Sequence, residues 1–126
     1  MQIEDDKFTD DYSMLFMNNL DKQILNGLIK SCLLMDPKIF FPFLMEESVD
    51  TGIPSKMTFY RSFEKMIECL RCNFSKKNHY KWRREEWMDD KSYLTLKIYD
   101  DIHFYARLNF RIDKIDDKLY IEILPF

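Results

Sequence analysis

An unbroken alternation of apolar and polar or aromatic residues over positions 102–112 constrains the fold of this chain more than any other stretch. The apolar set is Ile102, Phe104, Ala106, Leu108, Phe110 and Ile112. Side chains of a strand alternate between the two faces of a sheet, so this period predicts a long strand with one buried and one exposed face. The rest of the chain must therefore supply neighbouring strands and a layer that covers the buried face.

Three further segments have the composition of strands. The four predicted strands span 80–87, 93–99, 102–112 and 119–124. Acidic pairs stand between them at Asp89-Asp90, Asp100-Asp101 and Asp116-Asp117. Asp tolerates the left-handed backbone conformation and bonds its own backbone in turns, and connections this short join antiparallel neighbours. The C-terminal half is therefore predicted to form an antiparallel meander.

The N-terminal half has the 3.6-residue period of amphipathic helices. The predicted helices span 13–35, 36–44 and 55–72, and a short extended piece is predicted at 48–51. Each helix starts with a residue that caps helix N-termini well, namely Ser13, Asp36 and Ser55. Helices followed by a sheet make an α+β fold, with three N-terminal helices packed on the buried face of the sheet.

The length of 126 residues fits one domain. Residues 1–12 carry five acids and one lysine, so we expect a flexible acidic arm before a single domain over 13–126. The start lacks the apolar region of a secretory signal, and the longest apolar run, 39–45, is far below the roughly 20 residues that cross a bilayer. Three cysteines, an odd number, argue against a disulfide framework. We expect a cytoplasmic protein without a membrane segment.

The net charge of −3 excludes a broadly basic nucleic-acid binder, although the charges are unevenly distributed. Positions 71–84 carry six bases and no acids, with Phe74, Tyr80 and Trp82 interleaved. Such a mixture could hold phosphates and stack bases, or bind an acidic partner. Because four acids follow within 85–90, the segment is interpreted as a solvated connection, and nucleic acid is not expected as a partner.

Cys69 and Cys72 have the spacing of redox dithiols. Thioredoxin-type thiols lie at a helix N-terminus, whereas these two fall near the predicted end of the third helix. A zinc site would need two further ligands, and the chain offers only Cys32, His79 and His103. The pair is therefore interpreted as buried and structural, and no metal or cofactor is expected.

The segment MDPKIFFPFLMEESVDTGIPSKMTFYRSFEKMI at 35–67 combines an Asp-led short helix, an acidic pair, a Val-led strand, a Gly-containing turn and a Phe-bearing helix. This pattern, with the element order from about residue 15 to the C-terminus, resembles the nuclear transport factor-like superfamily, which includes ketosteroid isomerases and polyketide cyclases. The resemblance implies a cystatin-like cone, in which three helices pack on a curved antiparallel sheet.

The resemblance also implies where catalysis would occur. In the isomerases an Asp on the short strand is the general base, and Asp50 lies near that position. The family's oxyanion Tyr on the first helix is replaced here by Leu28 and Ile29, and no carboxylic acid occupies an inward position of the long strand. A base without oxyanion donors lacks what is usually the largest catalytic contribution, so Asp50 is interpreted as a turn residue.

Two sets of candidate binding residues remain. A small apolar ligand could occupy the concave side, lined by Tyr60, Phe63, Trp82, Phe104 and Leu108. Two copies could pair through the exposed phase of the strands, where interface-prone Tyr and Arg residues lie, namely Tyr93, Tyr105, Arg107, Arg111 and Tyr120. Cross-strand pairing on a wet sheet explains the second set equally well. His103 shares that phase without an acidic or nucleophilic neighbour and is interpreted as a surface residue.

These observations predict a non-catalytic binding domain that either holds a small apolar ligand or forms a homodimer. One alternative is a protein-interaction domain of the inhibitor or immunity type. The other is an enzyme of the isomerase or cyclase kind that uses Asp50 as its base.

Overall fold

A computed structural model describes residues 18–52, 55–74, 81–85, 93–99 and 104–124. Its elements are α1 (Asn19–Leu33), a 3₁₀ turn (Pro37–Ile39), α2 (Phe41–Leu44), β1 (Val49–Asp50), α3 (Lys56–Phe74), β2 (Lys81–Glu85), β3 (Tyr93–Tyr99), β4 (Phe104–Ile115) and β5 (Lys118–Leu124). Helices precede the sheet, so the predicted α+β class is confirmed. The acidic arm expected at 1–12 and the predicted cap Ser13 lie outside the described residues.

The start of α1 is set by a reciprocal capping pair. The backbone N–H of Asp21 donates to Oδ1 of Asn18 at 2.9 Å, and the N–H of Asn18 donates to Oδ2 of Asp21 at 3.2 Å. Asn18 itself is extended, with φ −81° and ψ 179°. The prediction of one helix continuous over 13–35 is therefore wrong at Asn18, because Asn18 is extended and caps α1; residues 13–17 lie outside the described residues.

The sheet has the strand order β1-β5-β4-β3-β2. Strands β2 to β5 form the predicted antiparallel meander. Strand β1, by contrast, pairs with β5 in parallel, through Val49 opposite Leu119 and Asp50 opposite Tyr120. The sheet is thus mixed rather than wholly antiparallel, because α3 and three strands separate β1 from β5 and allow the chain to return in the same direction.

The turn between β4 and β5 forms where its acidic pair predicts it. Asp116 and Asp117 both adopt left-handed backbone conformations, with φ of 50° and 63°. Two successive residues of this kind make the tight turn whose twist matches that of paired strands. The turn lets β4 continue to Ile115, three residues beyond the predicted end.

The core lies between the helices and one face of the sheet. Phe63 of α3 is at its centre, with ring centroids 5.6 Å from Phe40, 6.2 Å from Phe59 and 6.4 Å from Phe110. Strand residues of the predicted inward phase complete the same cluster: Leu94, Leu96, Ile98, Leu108, Phe110 and Ile112. The alternation over 102–112 therefore identifies which face of β4 the helices cover.

Gly27 makes room for the ring of Phe43. A Cβ added at Gly27 would lie 2.8 Å from Cε2 of that ring and closer still to Cδ2. We expect Gly27→Ala to lower the free energy of unfolding by about 1 kcal/mol, because overpacking costs about 1–3 kcal/mol and alanine returns only about 1 kcal/mol of helix propensity. In a Phe43→Ala background the same substitution should stabilise the protein. Urea unfolding followed by circular dichroism measures both effects. If Gly27→Ala also lowered the free energy of unfolding in the Phe43→Ala background, the contact with Phe43 would be contradicted.

Candidate interaction surface

The face of the sheet turned away from the helices is called the outer face here. Its described side chains are Asp50, Tyr93, Thr95, Lys97, Arg107, Asn109, Arg111, Asp113, Ile115, Lys118, Tyr120, Glu122 and Leu124. Their membership follows from the register, since directly paired residues in a sheet project to the same side. Four of the five residues predicted for an interface, Tyr93, Arg107, Arg111 and Tyr120, come together on this face. The side chain of the fifth, Tyr105, lies outside the described residues.

A polar pair is buried at the centre of the outer face. The hydroxyl of Thr95 donates to Oδ1 of Asn109 at 2.9 Å, and the two residues are directly paired between β3 and β4. Thr95 is 0% exposed and Asn109 2% exposed. The face of the strand over 102–112 that was predicted to be exposed is therefore buried at Asn109. Both short side chains stand between longer neighbours on their own strands.

Charge is ordered along the outer face. Near the turn between β4 and β5, Asp50 and Asp113 flank Tyr120 in register, and Glu122 pairs with Arg111. Nε of Arg111 also donates to Oδ2 of Asp113 at 2.8 Å, and this bond raises the pKa of the guanidinium. At the other end, beyond the buried polar pair, Lys97 and Arg107 stand opposite each other. Among the described side chains, the end near this turn thus carries three acids beside Arg111 and Lys118, and it is called the acidic end; the opposite end carries two bases and is called the basic end.

Asp50 acts as a turn residue in this arrangement. Its carboxylate accepts the N–H of Gly52 at 3.0 Å, and Gly52 has a left-handed φ of 65°. That hydrogen bond, the hydroxyl of Tyr120 and the charge of Lys118 lower the pKa of Asp50, and its negative charge raises the pKa of Tyr120. A general base needs a pKa near the working pH, and burial is the usual cause when the pKa of a carboxyl group is raised to that range. The geometry of Asp50 therefore does not favour the enzymatic alternative.

An open cleft of about 780 Å³ adjoins the acidic end. It is lined by the loop 47–51, by Ser55 and Lys56 at the start of α3, and by the turn residues 116–118. The sides are charged and polar, since the lining includes acids from both turns and two lysines. The cleft does not coincide with the predicted apolar ligand site, which would lie on the opposite face of the sheet.

The predicted ligand-binding residues that the structure describes lie in the core. Phe63 is 0% exposed and Leu108 1% exposed, so neither side chain borders space that a water-sized molecule can enter. Tyr60 is also buried, its ring meets Phe41 edge-on at 4.8 Å, and burial raises the pKa of its hydroxyl. The side chains of Trp82 and Phe104 lie outside the described residues. A ligand pocket here remains a prediction, and it would require these core side chains to move apart.

The interpretation of Cys69 and Cys72 as buried residues is wrong. Cys69 and Cys72 are both exposed on α3, whereas Cys32 of α1 is fully buried and burial raises the pKa of its thiol. The interpretation used only their location near the end of the helix. The two residues lie on the solvent side of the helical period set by Phe63, Ile67 and Leu70, which explains their exposure. Residues 75–80 of the basic segment 71–84 and His103 lie outside the described residues, as do the side chains of Phe74 and of residues 81–84.

Sequence reasoning missed the buried Thr95 and Asn109 pair and the acidic end. Asp113 lies two positions after Arg111, so the alternation places it on the same side of the strand as Arg107 and Arg111. That placement was the one signal for the acidic end in the sequence.

No protein-family model, curated protein or solved structure matches this chain. Among the helices of the described residues, none combines the length and the apolar character that a membrane-spanning segment requires.

Proposed function

We propose that this protein is a non-catalytic interaction domain that pairs with a second copy of itself through the outer face. The observation that supports this most directly is the charge order of that face. An acidic end and a basic end on one surface make it complementary to itself when a second copy is turned end for end. Self-complementarity of this kind is what a two-fold symmetric interface requires.

The arrangement follows from the positions of the charges. A two-fold axis lying between the two sheets, over Asn109 and oblique to the strands, turns the second copy end for end. Lys97 on β3 and Glu122 on β5 lie two positions to either side of Asn109 in the register, so this axis places Lys97 of one copy opposite Glu122 of the other. Tyrosine and arginine, which are enriched at protein interfaces, lie on the same face as Tyr93, Arg111 and Tyr120.

The size of the face indicates a weak, reversible dimer. Strands β2 to β5 offer a footprint of roughly 500 Å², taking about 3.4 Å per residue along a strand and about 4.8 Å between strands. Two opposed faces bury on the order of 1,000 Å², which is near the lower limit for specific interfaces. We therefore expect association in the micromolar range or weaker.

The cone architecture of the nuclear transport factor-like superfamily belongs to the same proposal. It is supported by the order of helices, a two-residue strand, a long helix and an antiparallel meander. Within that architecture the interior positions Phe63 and Leu108 are filled, which favours an interaction role over an apolar ligand site.

A charge swap tests the dimer. Lys97→Glu cancels the positive charge of the basic end, where Arg107 remains, and we expect it to weaken self-association about tenfold, because each substitution acts twice in a symmetric dimer. Glu122→Lys should weaken it similarly, and an equimolar mixture of the two variants should recover association as a mixed dimer. Sedimentation velocity from about 10 µM to 1 mM, at low and high salt, measures these outcomes.

Lys65→Glu on the exposed side of α3 is the matched control, since it makes the same charge change away from the outer face. It should leave association unchanged. A protein that stays monomeric at 1 mM, or a mixture that fails to recover, would contradict the proposal. Association with another protein but not with itself would indicate the inhibitor-type alternative.

A further inference from the structure

The solvent side of α3 carries two exposed thiols one turn apart, and we propose that Cys69 and Cys72 together bind one soft monovalent metal ion such as Cu(I). Both residues are exposed in the folded chain. Three residues along an α-helix turn the side-chain direction by about 300°, so the two thiols lie about 60° apart on the same side of α3. The site is separate from the outer face and independent of the proposed dimer.

The helical spacing suits a shared ion better than a disulfide. Cβ atoms at positions i and i+3 of a helix are about 5–6 Å apart, whereas a disulfide needs about 3.5–4.5 Å. Closing a disulfide would therefore distort α3. With metal–thiolate bonds of about 2.3 Å, as found for zinc, an ion between two sulfurs holds them up to about 4.6 Å apart. The thiols can reach that separation by side-chain rotation alone.

The number of ligands selects the kind of ion. Zinc in structural sites is almost always held by four ligands. Within the described residues no group of three or more His, Cys, Asp or Glu side chains is placed to hold a metal. Thiolates select soft ions such as Cu(I), for which two sulfur ligands suffice. Two thiolates and one monovalent cation are therefore the combination that this surface offers.

The binding step balances without a redox partner. Each thiol releases its proton to solvent and forms one sulfur–metal bond, so no electrons are transferred. The resulting site carries one negative charge. Lys65 lies one turn before Cys69 on the same side of α3, where its positive ammonium group partly offsets the negative charge of the site.

Titration of the fully reduced chain with Cu(I), in competition with the chromogenic chelator bicinchoninate and without oxygen, tests the proposal. We expect one Cu(I) per chain, bound at least tenfold more tightly than by Cys69→Ser or Cys72→Ser. Cys32→Ala should bind like the unaltered chain, because the thiol of Cys32 is buried. Equal affinity of the unaltered chain and the single-serine variants would overturn the proposal.

A matched variant separates chelation from the mere presence of two thiols. Lys65→Cys combined with Cys69→Ser keeps two thiols on the exposed side of α3 but places them seven residues, or about 10.5 Å, apart. It should lose the tight one-to-one site while keeping the helix content of the original chain by circular dichroism. Binding equal to that of the unaltered chain would also overturn the proposal.

Discussion

Phe63→Ala is expected to lower the free energy of unfolding by about 3–5 kcal/mol, the range found when a buried phenylalanine is removed from a packed core. Phe63 is completely buried and its ring contacts three others, those of Phe40, Phe59 and Phe110. Truncation leaves a cavity that rigid neighbours from two helical segments and a strand fill only partly. Urea unfolding followed by far-UV circular dichroism measures the loss.

Met57→Ala is the control on the same helix, because Met57 is 43% exposed. It should change the free energy of unfolding by less than about 0.5 kcal/mol, as surface substitutions usually do. A loss below about 1 kcal/mol for Phe63→Ala would mean that the space around Phe63 is already open. That result would favour the apolar-ligand function over the interaction function.

The features that could be predicted from the sequence depend on local chemistry. The turn at Asp116 and Asp117 was predictable because aspartate tolerates the left-handed conformation that both residues adopt. The buried face of β4 was predictable because its period of two runs unbroken to Ile112. In both cases the information lies within a dozen consecutive residues.

The features that escaped prediction depend on distant partners. The parallel pairing of Val49 with Leu119 joins segments 70 positions apart, and nothing near Val49 specifies its direction. The burial of Asn109 accompanies its hydrogen bond to Thr95, 14 positions earlier on another strand, and the local alternation does not reveal it. For the candidate surface, the sequence identified the Tyr and Arg residues. The acidic end became recognisable only when the register placed Asp50 beside Tyr120.

Asp21→Asn is expected to lower the free energy of unfolding by about 2–3 kcal/mol. The carboxylate of Asp21 is 1% exposed, accepts the N–H of Asn18, and pairs with Nζ of Lys114 at 2.7 Å. It therefore joins the capping box of α1 to the end of β4. The amide oxygen of asparagine can still accept the N–H of Asn18, but it leaves the ammonium group of Lys114 without a counter-charge. Breaking a fully buried pair costs about 3–5 kcal/mol, and the 23% exposure of the Lys114 side chain reduces that cost.

Asp113→Asn provides the comparison on the same strand. Its ion pair with Arg111 has similar geometry, at 2.8 Å, but the arginine side chain is 51% exposed, so the expected loss is below about 1 kcal/mol. Unfolding in urea at protein concentrations low enough to keep the chain monomeric separates the two effects. The double variant Asp21→Asn with Lys114→Met should recover part of the loss, since an apolar side chain removes the unpaired charge. Equal losses for Asp21→Asn and Asp113→Asn would mean that the buried pair does not connect α1 to the sheet, and the start of α1 would then depend on the capping box alone.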